Sequence, residues 1–379
     1  MKVAHVSTFP HMKCGIAFYV SDLIEALPAV EHSRYALHYG TNITADVAGH
    51  ANVSRPSEMR GLARRISQSS CDVVSLQHEF GIWGGPDGEH IFPFLEQLTK
   101  PVVTTLHTTF GSRERSTVRS SILARLVKQS AVTVVLTSHS RNSLCENLGA
   151  ERDSITVIPH GVPAIPFSLP PPNWASLTEG GRTCRFCSVG FFRPGKGIET
   201  VLHALRSFRD SGFSFEYVMA GEPQRQFAEQ ERYLRDVNQL VSELRLAERV
   251  RIDARFLTRL EQIEVIQNSH AGVFGYQDPD QSSSGTIPLV MASGRPVICT
   301  PFEFALAKER EVGGVTLAHG FDAAAIADAL TRFITSGSNY LQDSRRLHER
   351  AGHWAWKTVG SAYATAFSEA RAWRGSGRT

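Results

Sequence analysis

The chain has 379 residues, which is too long for one ordinary domain and typical of two. Its 42% hydrophobic and 20% charged residues exclude a disordered, collagen-like or fibrous protein. Forty Lys and Arg against 37 Asp and Glu give a formal net charge of +3, far below the concentrated basic charge that nonspecific nucleic-acid binding needs. We therefore expect no nucleic-acid partner. Any anionic ligand must be bound by a local group of residues.

No apolar run reaches the length of roughly 18 uncharged residues that a spanning helix needs, so we expect no transmembrane segment. The N-terminus, MKVAHVSTFP, reads directly into a strand and lacks the features of a signal peptide. These patterns predict a cytoplasmic protein and leave peripheral membrane contact open. Six scattered cysteines indicate reduced thiols. Cys184 and Cys187 form a CxxC without a second pair at zinc-finger spacing, and we interpret them as ordinary thiols.

The first half of the chain alternates short apolar strands with helix-like segments. In chain order these are VAHVS, FYVSDLIEAL, DVVSLQ, HIFPFLEQL, PVVTTL, SILARLVKQ, VTVVLT, SRNSLCENLG and SITVIP. Such alternation is typical of a doubly wound, mostly parallel sheet. It predicts an N-terminal Rossmann-like domain over residues 1–165.

A proline-rich break follows, and we interpret residues 166–182 as a linker. The alternation then restarts with CRFCSVG and GIETVLHALRSF, which predicts a second Rossmann-like domain over 183–350. A last amphipathic helix is predicted at 351–373. The predicted fold class is therefore α/β, with two doubly wound domains facing a central cleft. Ligands of such sheets bind at the carboxyl ends of the strands, so residues directly after strands are the site candidates.

The segment GFFRPGKG, at 190–197, follows a predicted strand and opens a predicted helix. It nearly matches a P-loop, but Gly197 stands where a Walker A motif needs Ser or Thr, which disfavours a P-loop NTPase. A helix N-terminus beside Arg193 and Lys196 still suits a diphosphate. We therefore take these residues and Gly190 as candidates for diphosphate binding. The alternative is an ordinary turn with two solvated bases.

A second polar segment, QSSSGT, stands between the predicted strand AGVFGY and the apolar helix IPLVMAS. Hydroxyls and backbone amides at a helix start suit phosphate oxygens, and two such sites in one domain indicate one nucleotide diphosphate. The alternative is that the serines only cap the helix. Asp278-Pro279-Asp280 imitates a metal-binding DxD motif, but we interpret it as a loop and predict no metal site. The candidate residues of the polar segment are Gln281, Ser282, Ser283, Ser284, Gly285 and Thr286.

Three strand ends in the first half provide further candidates. Gly15 opens the first predicted helix, where it would let backbone amides approach a ligand. His78 and Glu79 end and follow one strand, and His107 follows the next. A lone histidine is more often structural than catalytic, but a shared position after parallel strands favours a place in the cleft.

Together these motifs resemble those of a family 4 glycosyltransferase of the two-domain GT-B fold. The turn CGIAFY, at 14–19, resembles the family's N-terminal glycine loop, and VIPHGV, at 157–162, resembles its IPNGV turn. SVGFFRPGKG resembles the VGRLxxxKG phosphate loop, and MASGRPVI, at 291–298, resembles AMAxGxPVI. The resemblance extends over nearly the whole chain, with the motifs in the family's order and spacing.

The phosphate loop departs from the family pattern at one position. When the segments are aligned on Gly190 and Lys196, the family's arginine falls on Phe191. Arg193 would therefore have to substitute for it.

The donor-binding glutamates of the family are also replaced. When the segments are aligned on Gly294, those glutamates fall on Gln281 and Leu289. In the family the first contacts the donor sugar and the second the nucleotide ribose. Gln281 can still hydrogen-bond a sugar hydroxyl, whereas Leu289 cannot bind a ribose diol. Donor contacts must therefore be partly rebuilt, with Glu303 and Glu311 as candidates.

The resemblance implies a hexosyltransferase of polysaccharide or glycoconjugate biosynthesis. The donor would be a nucleotide-diphosphate sugar, GDP-mannose or a UDP-hexose, and the acceptor a hydroxyl of a saccharide or another molecule. The resemblance implies retention of anomeric configuration. No cofactor or metal is expected, because Arg193, Lys196 and the 282–286 amides would stabilise the charge that builds on the β-phosphate.

The resemblance also divides the roles between the domains. The donor would bind the second domain, with Gln281, Arg193 and Lys196 as catalytic residues. Gly15, His78 and Glu79 would lie on the acceptor side, and His107 would orient the sugar near its 6-hydroxyl.

Two other functions stay open at this point. A sugar-nucleotide epimerase of the same fold would need carboxylates as proton shuttles, and Glu79, Asp278 and Asp280 are available. A catalytically inactive sugar-nucleotide-binding protein is favoured by the replaced glutamates.

Overall fold

The computed structural model describes residues 1–12, 14–40, 43, 46–110, 116–171, 183–223, 230–336 and 339–373. The chain divides into two compact units: unit 1 is Met1–Gly161 with Trp356–Thr379, and unit 2 is Val162–Ala355. Unit 1 thus ends at Gly161 rather than at residue 165. Of the predicted linker, residues 166–171 belong to unit 2, and 172–182 lie outside the described residues.

Strands and helices alternate along most of the chain, as the sequence predicts, but the strands at 31–38 and 49–52, which were not predicted, are consecutive in the element order. The strands are β1 (Lys2–Ser7), β2 (Glu31–His38), β3 (Gly49–Asn52), β4 (Val73–His78), β5 (Val102–Leu106), β6 (Val132–Val135), β7 (Ile155–Val157), β8 (Thr183–Val189), β9 (Ser214–Ala220), β10 (Val250–Asp253), β11 (Ala271–Phe274), β12 (Val297–Cys299) and β13 (Val315–Leu317). The helices are α1 (Gly15–Glu25), α2 (Pro56–Gln68), α3 (Ile91–Leu95), α4 (Thr117–Gln129), α5 (Ser138–Leu148), α6 (Ile198–Asp210), α7 (Gln230–Glu243), α8 (Arg259–Gln267), α9 (Thr286–Ala292), α10 (Glu303–Glu311), α11 (Ala323–Thr335), α12 (Tyr340–Ala351) and α13 (Trp356–Ala372). No helix in the described ranges combines the length and apolarity needed to cross a bilayer.

Unit 1 contains a seven-stranded parallel sheet in the order β3-β2-β1-β4-β5-β6-β7. Its central strands are buried on both faces, which explains their continuous apolar runs. The last helix, α13, packs on this sheet. Its Tyr363 hydroxyl lies 2.8 Å from the Tyr19 hydroxyl and 2.8 Å from Thr105 Oγ1. Residues far apart in the sequence therefore complete one core.

Unit 2 contains a six-stranded parallel sheet in the order β10-β9-β8-β11-β12-β13. Cys184 and Cys187 are both fully buried on β8 and belong to different hydrophobic clusters, so they are separate core thiols. Each sheet has a switch point where the strand order reverses, between β1 and β4 in unit 1 and between β8 and β11 in unit 2. The predicted class, α/β with two Rossmann-like domains, is confirmed.

Candidate active site

The switch point of unit 2 is formed by the turn after β8 and the loop after β11. The turn at 190–197 leads into α6, and the loop at 275–285 leads into α9. Crevices at such switch points are where open α/β sheets bind ligands, and helix N-termini there favour anions. The two segments predicted to bind a diphosphate therefore end at neighbouring strands.

The turn at 190–197 is held by glycines in backbone conformations that other residues rarely adopt. Gly190, Gly195 and Gly197 have φ values of 120°, 86° and 65°. A Cβ atom on Gly197 would lie 1.7 Å from the carbonyl oxygen of Gly275, so the two backbones are in direct contact. Gly197 is also the N-cap of α6 and provides no capping side chain for the first amides of that helix. The turn is thus rigid and presents a helix N-terminus.

The polar segment at 282–286 lies against this turn. A Cβ atom on Gly190 would lie 3.1 Å from Thr286 Oγ1, so the two predicted segments are brought together. Ser284 Oγ accepts a hydrogen bond of 3.3 Å from the amide of Ile287, which is the capping role considered as the alternative. Ser282 is buried, Ser283 and Thr286 are half-buried, and Gly285 is exposed. The exposed start of α9 therefore faces the same turn.

Two cations accompany the turn. Lys196 Nζ lies 3.8 Å from the centroid of the Tyr276 ring. Arg193 is half-buried, and within the described ranges neither Arg193 nor Lys196 forms an ion pair with a carboxylate. Burial lowers the pKa of Lys196, whereas the Tyr276 side chain opposes this shift. Uncompensated positive charge beside a helix N-terminus suits an anionic ligand.

The positions of the replaced glutamates differ in burial. Leu289 is only 2% exposed and packs in a hydrophobic cluster of unit 2. Gln281 is half-buried, and its Nε2 donates a hydrogen bond of 2.8 Å to the carbonyl oxygen of Ser283. Its amide is therefore oriented by the same loop that leads into α9.

Of the two candidate replacements, only Glu303 lies beside this loop. The Glu303 amide donates to the Pro279 carbonyl at 2.9 Å, and the next amide donates to the Gln281 carbonyl at 3.1 Å. Burial, together with the nearby Asp280 carboxylate, raises the pKa of Glu303 to about 7. Glu311 instead forms an ion pair of 2.6 Å with the buried Lys308. Glu303 is thus the better placed candidate for a donor contact.

The raised pKa of Glu303 predicts a pH-dependent stability. The ordinary pKa of a glutamate is 4.5, so between pH 4.5 and about pH 7 the folded protein binds the Glu303 proton more tightly than the unfolded chain does. The free energy of unfolding should therefore fall as pH rises through this window. Glu303→Gln should therefore raise the thermal unfolding midpoint at pH 8, and this gain should disappear near pH 4.5. Glu311→Gln is the control, because it leaves Lys308 buried without its partner and should destabilise the protein at pH 8. Parallel pH profiles of wild type and Glu303→Gln would contradict the assignment.

The Asp278-Pro279-Asp280 segment is a loop with an internal hydrogen bond. The Asp280 amide donates a hydrogen bond of 3.0 Å to Asp278 Oδ1. Among the residues that the structure describes, no group of three or more His, Cys, Asp and Glu side chains is arranged to hold a metal ion.

In unit 1, His107 lies just after β5 with a well-defined environment. Its Nε2 is 2.9 Å from Gln77 Oε1, and its ring packs edge-on against Tyr19 with centroids 4.8 Å apart. Burial, with smaller contributions from His160 and His78, lowers the pKa of His107 to about 3. The imidazole is therefore neutral, so it can take part in hydrogen bonds but provides no positive charge.

His78 occupies a different environment from the one expected of an acceptor contact. Its side chain is fully buried and packs edge-on against Phe80, with centroids 4.9 Å apart. Neither ring nitrogen has a hydrogen-bond partner among the described residues, and burial lowers the pKa of His78 to about 3. This position inside the domain favours the structural role that a lone histidine more often has.

Glu79 and Gly15 are accessible at the same edge of the sheet. The Glu79 carboxylate accepts hydrogen bonds from the Thr108 hydroxyl and from the Gly81 amide, which joins the loops after β4 and β5. Gly15 is exposed at the start of α1, and among the described residues no atom lies within 4 Å of a Cβ atom placed on it. Glu79 and the start of α1 could therefore contact a ligand directly.

The structure also identifies neighbours that the sequence did not single out. Gln77 contacts His107, and Tyr276 contacts Lys196. Gln77 directly precedes the candidate His78, and Tyr276 ends the predicted strand AGVFGY, so their position along the chain was the available signal. Their contacts depend on side-chain packing, which the pattern of strands and helices does not specify.

Comparison with known proteins agrees with this architecture. Residues 15–164 match the family model described as Glycosyltransferase Family 4. The motifs at 190–197 and 291–298 lie outside the matched residues. None of the curated proteins matches the chain.

Several solved structures share the fold over nearly the whole chain. One is sucrose-phosphate synthase from Thermosynechococcus elongatus, at 16% identity and a TM-score of 0.72, covering 97% of this chain and 98% of that one. Another is HepE of Anabaena in complex with UDP and glucose, at 14% identity and a TM-score of 0.73, covering 97% and 99%. A third is a UDP-forming trehalose-phosphate synthase from Burkholderia xenovorans, at 12% identity and a TM-score of 0.71, covering 97% and 98%. Because these identities are low, the structural likeness establishes the fold. Together with the family match, it identifies the chain as a glycosyltransferase of the GT-B fold whose residues 15–164 are similar to Glycosyltransferase Family 4.

Proposed function

We propose that this glycosyltransferase moves a hexose from a nucleotide-diphosphate sugar to a hydroxyl acceptor, with retention and without a metal ion. The observation that carries the proposal is the contact between the turn at 190–197 and the start of α9, with Arg193 and Lys196 beside them and no carboxylate paired to either cation among the described residues. Two helix starts and two cations make a site for a diphosphate.

The proposed chemistry follows from the leaving group. Breaking the bond between the anomeric carbon and its oxygen builds negative charge on the β-phosphate. Lys196, Arg193 and the amides that open α6 and α9 would stabilise this charge, and they are fixed before the reaction begins. A fixed electrostatic environment of this kind favours the transition state over the bound donor.

The donor is either a UDP-hexose or GDP-mannose. The HepE structure holds UDP and glucose, which favours a UDP-hexose. Glu303, the first residue of α10, lies beside the loop that carries Gln281, and both side chains would hydrogen-bond sugar hydroxyls. Leu289 offers no such contact, so the ribose would be bound by other groups.

The acceptor, a saccharide or another hydroxyl compound, is assigned to unit 1. Glu79 would accept hydrogen bonds from its hydroxyls, and the exposed Gly15 at the start of α1 would contact it. His107, neutral and oriented by Gln77, would hydrogen-bond the transferred sugar. A cytoplasmic location stays a prediction.

A panel of nucleotide sugars tests the function. Incubation with each donor, with and without candidate acceptors, should release UDP or GDP, slowly by hydrolysis and faster with the right acceptor. Binding of a nucleotide sugar without any release would instead indicate an inactive binding protein. Formation of an isomeric nucleotide sugar without net release would indicate an epimerase.

The role given to the cations predicts insensitivity to chelators. EDTA should leave nucleotide release within about twofold of the untreated enzyme, because Lys196, Arg193 and the helix amides do what Mg²⁺ does in metal-dependent enzymes. Release should be measured after EDTA treatment and again after adding Mg²⁺ or Mn²⁺. Complete loss with EDTA, restored by either ion, would make Asp278 and Asp280 the ligands to examine.

A further inference from the structure

The three residues after β11, at 275–277, contact the turn at 190–197 directly. The Gln277 amide donates a hydrogen bond of 3.0 Å to the Gly195 carbonyl. Gly275 and Gly197 touch through their backbones, since a Cβ atom on either would lie within 2.6 Å of the carbonyl oxygen of the other. The central residue of this segment, Tyr276, lies between the two contacts.

The Tyr276 side chain is itself held firmly. It is only 4% exposed, and its ring packs against Phe302 and Phe274 with centroids 5.0 Å and 5.7 Å apart. Its carbonyl oxygen accepts a hydrogen bond of 2.6 Å from Thr300 Oγ1. The ring is therefore a fixed surface built by β11 and the residues after β12.

The Lys196 ammonium rests on this surface. Its Nζ lies 3.8 Å from the centroid of the Tyr276 ring, well inside the range of cation–π attraction. A lysine side chain has four rotatable bonds. Holding the ammonium in one place before the ligand arrives therefore lowers the side-chain entropy that is lost on binding. A carboxylate could hold it as well, but it would neutralise the charge and repel a phosphate. An aromatic face orients the ammonium and leaves its full charge for the ligand.

We propose that Tyr276 is a positioning residue for the donor diphosphate, acting through Lys196 by means of its ring face. This inference rests on the proposed function of the turn at 190–197. Tyr276 does not touch the diphosphate itself; it fixes the direction from which the Lys196 ammonium meets it.

Binding of UDP and of GDP, measured by calorimetric titration, tests the proposal. Tyr276→Leu should weaken binding about 5- to 30-fold, the range of a partly desolvated cation–π contact, whereas Tyr276→Phe should stay within about twofold. In a Lys196→Ala background, Tyr276→Leu should change binding less than about twofold, because no ammonium is left to position. A merely structural role would weaken binding equally in both backgrounds and would overturn the proposal.

A second series keeps the test decisive if Tyr276→Leu does not fold. Phenylalanine and its increasingly fluorinated analogues at position 276 have nearly the same shape but a progressively weaker negative ring face. Binding of UDP should weaken stepwise along this series, and a flat series would refute the inference. If Lys196→Ala itself binds UDP and GDP as tightly as the wild type, the diphosphate assignment fails instead, which separates the two failures.

Discussion

Lys196→Ala is expected to lower the rate of nucleotide release at least ~100-fold, the usual scale for removing one group that stabilises charge developing in a transition state. The ammonium is fixed over Tyr276 and has no carboxylate partner in the described part of the chain, so its full charge is available to the leaving diphosphate. The interaction strengthens as charge builds, so turnover should fall more than donor affinity. Steady-state release from the preferred nucleotide sugar, with UDP or GDP titration alongside, measures both effects.

Two variants serve as controls for this prediction. Lys357→Ala removes an exposed lysine from α13 in unit 1 and should leave turnover unchanged. Lys196→Arg keeps the charge but changes its shape, and it should recover part of the lost activity. Near-normal turnover in Lys196→Ala would mean that the turn at 190–197 is an ordinary turn with solvated bases.

The fold could be predicted from the sequence because its signal is repeated in most segments. Most strands are short apolar runs followed by a helix-like segment, and this alternation favours the doubly wound sheet. The strands β2 and β3 were not predicted, because EHSRYALH and GHAN are not apolar runs and the two strands are consecutive in the element order. The end of unit 1 at Gly161 was less accessible, because the proline-rich composition that marks the break begins after it.

The candidate site could be predicted where backbone conformation determines it. Gly190 and Gly197 have positive φ values, and such requirements leave a clear mark in the sequence as glycine. His78 shows the limit: it ends β4 much as His107 follows β5, but its side chain is 0% exposed and packs against Phe80, whereas His107 contacts Gln77. Which face of a strand end is covered depends on packing between distant elements. The alternation of strands and helices does not encode that information.

Gly197→Ala is expected to damage unit 2 and abolish donor binding. The residue has φ of 65°, and its new Cβ would lie 1.7 Å from the carbonyl oxygen of Gly275, a backbone atom that cannot rotate away. The turn and the segment after β11 would have to separate, which would also disturb the contact between Lys196 and Tyr276. Calorimetric unfolding and UDP titration should show both losses together.

Gly195→Ala separates the two causes of that damage. Gly195 also has a positive φ, 86°, but no atom in the described part of the chain lies within 4 Å of a Cβ atom placed there. The free energy of unfolding of this variant should fall only by the conformational cost, about 1 kcal/mol. That corresponds to a drop of about 2 to 4 °C in the unfolding midpoint for a domain of this size. Gly197→Ala should shift the unfolding midpoint at least about twice as far. If the two variants behave alike, backbone conformation alone governs the turn, and close contact between the turn and the segment at 275–277 is not what holds the diphosphate site in shape.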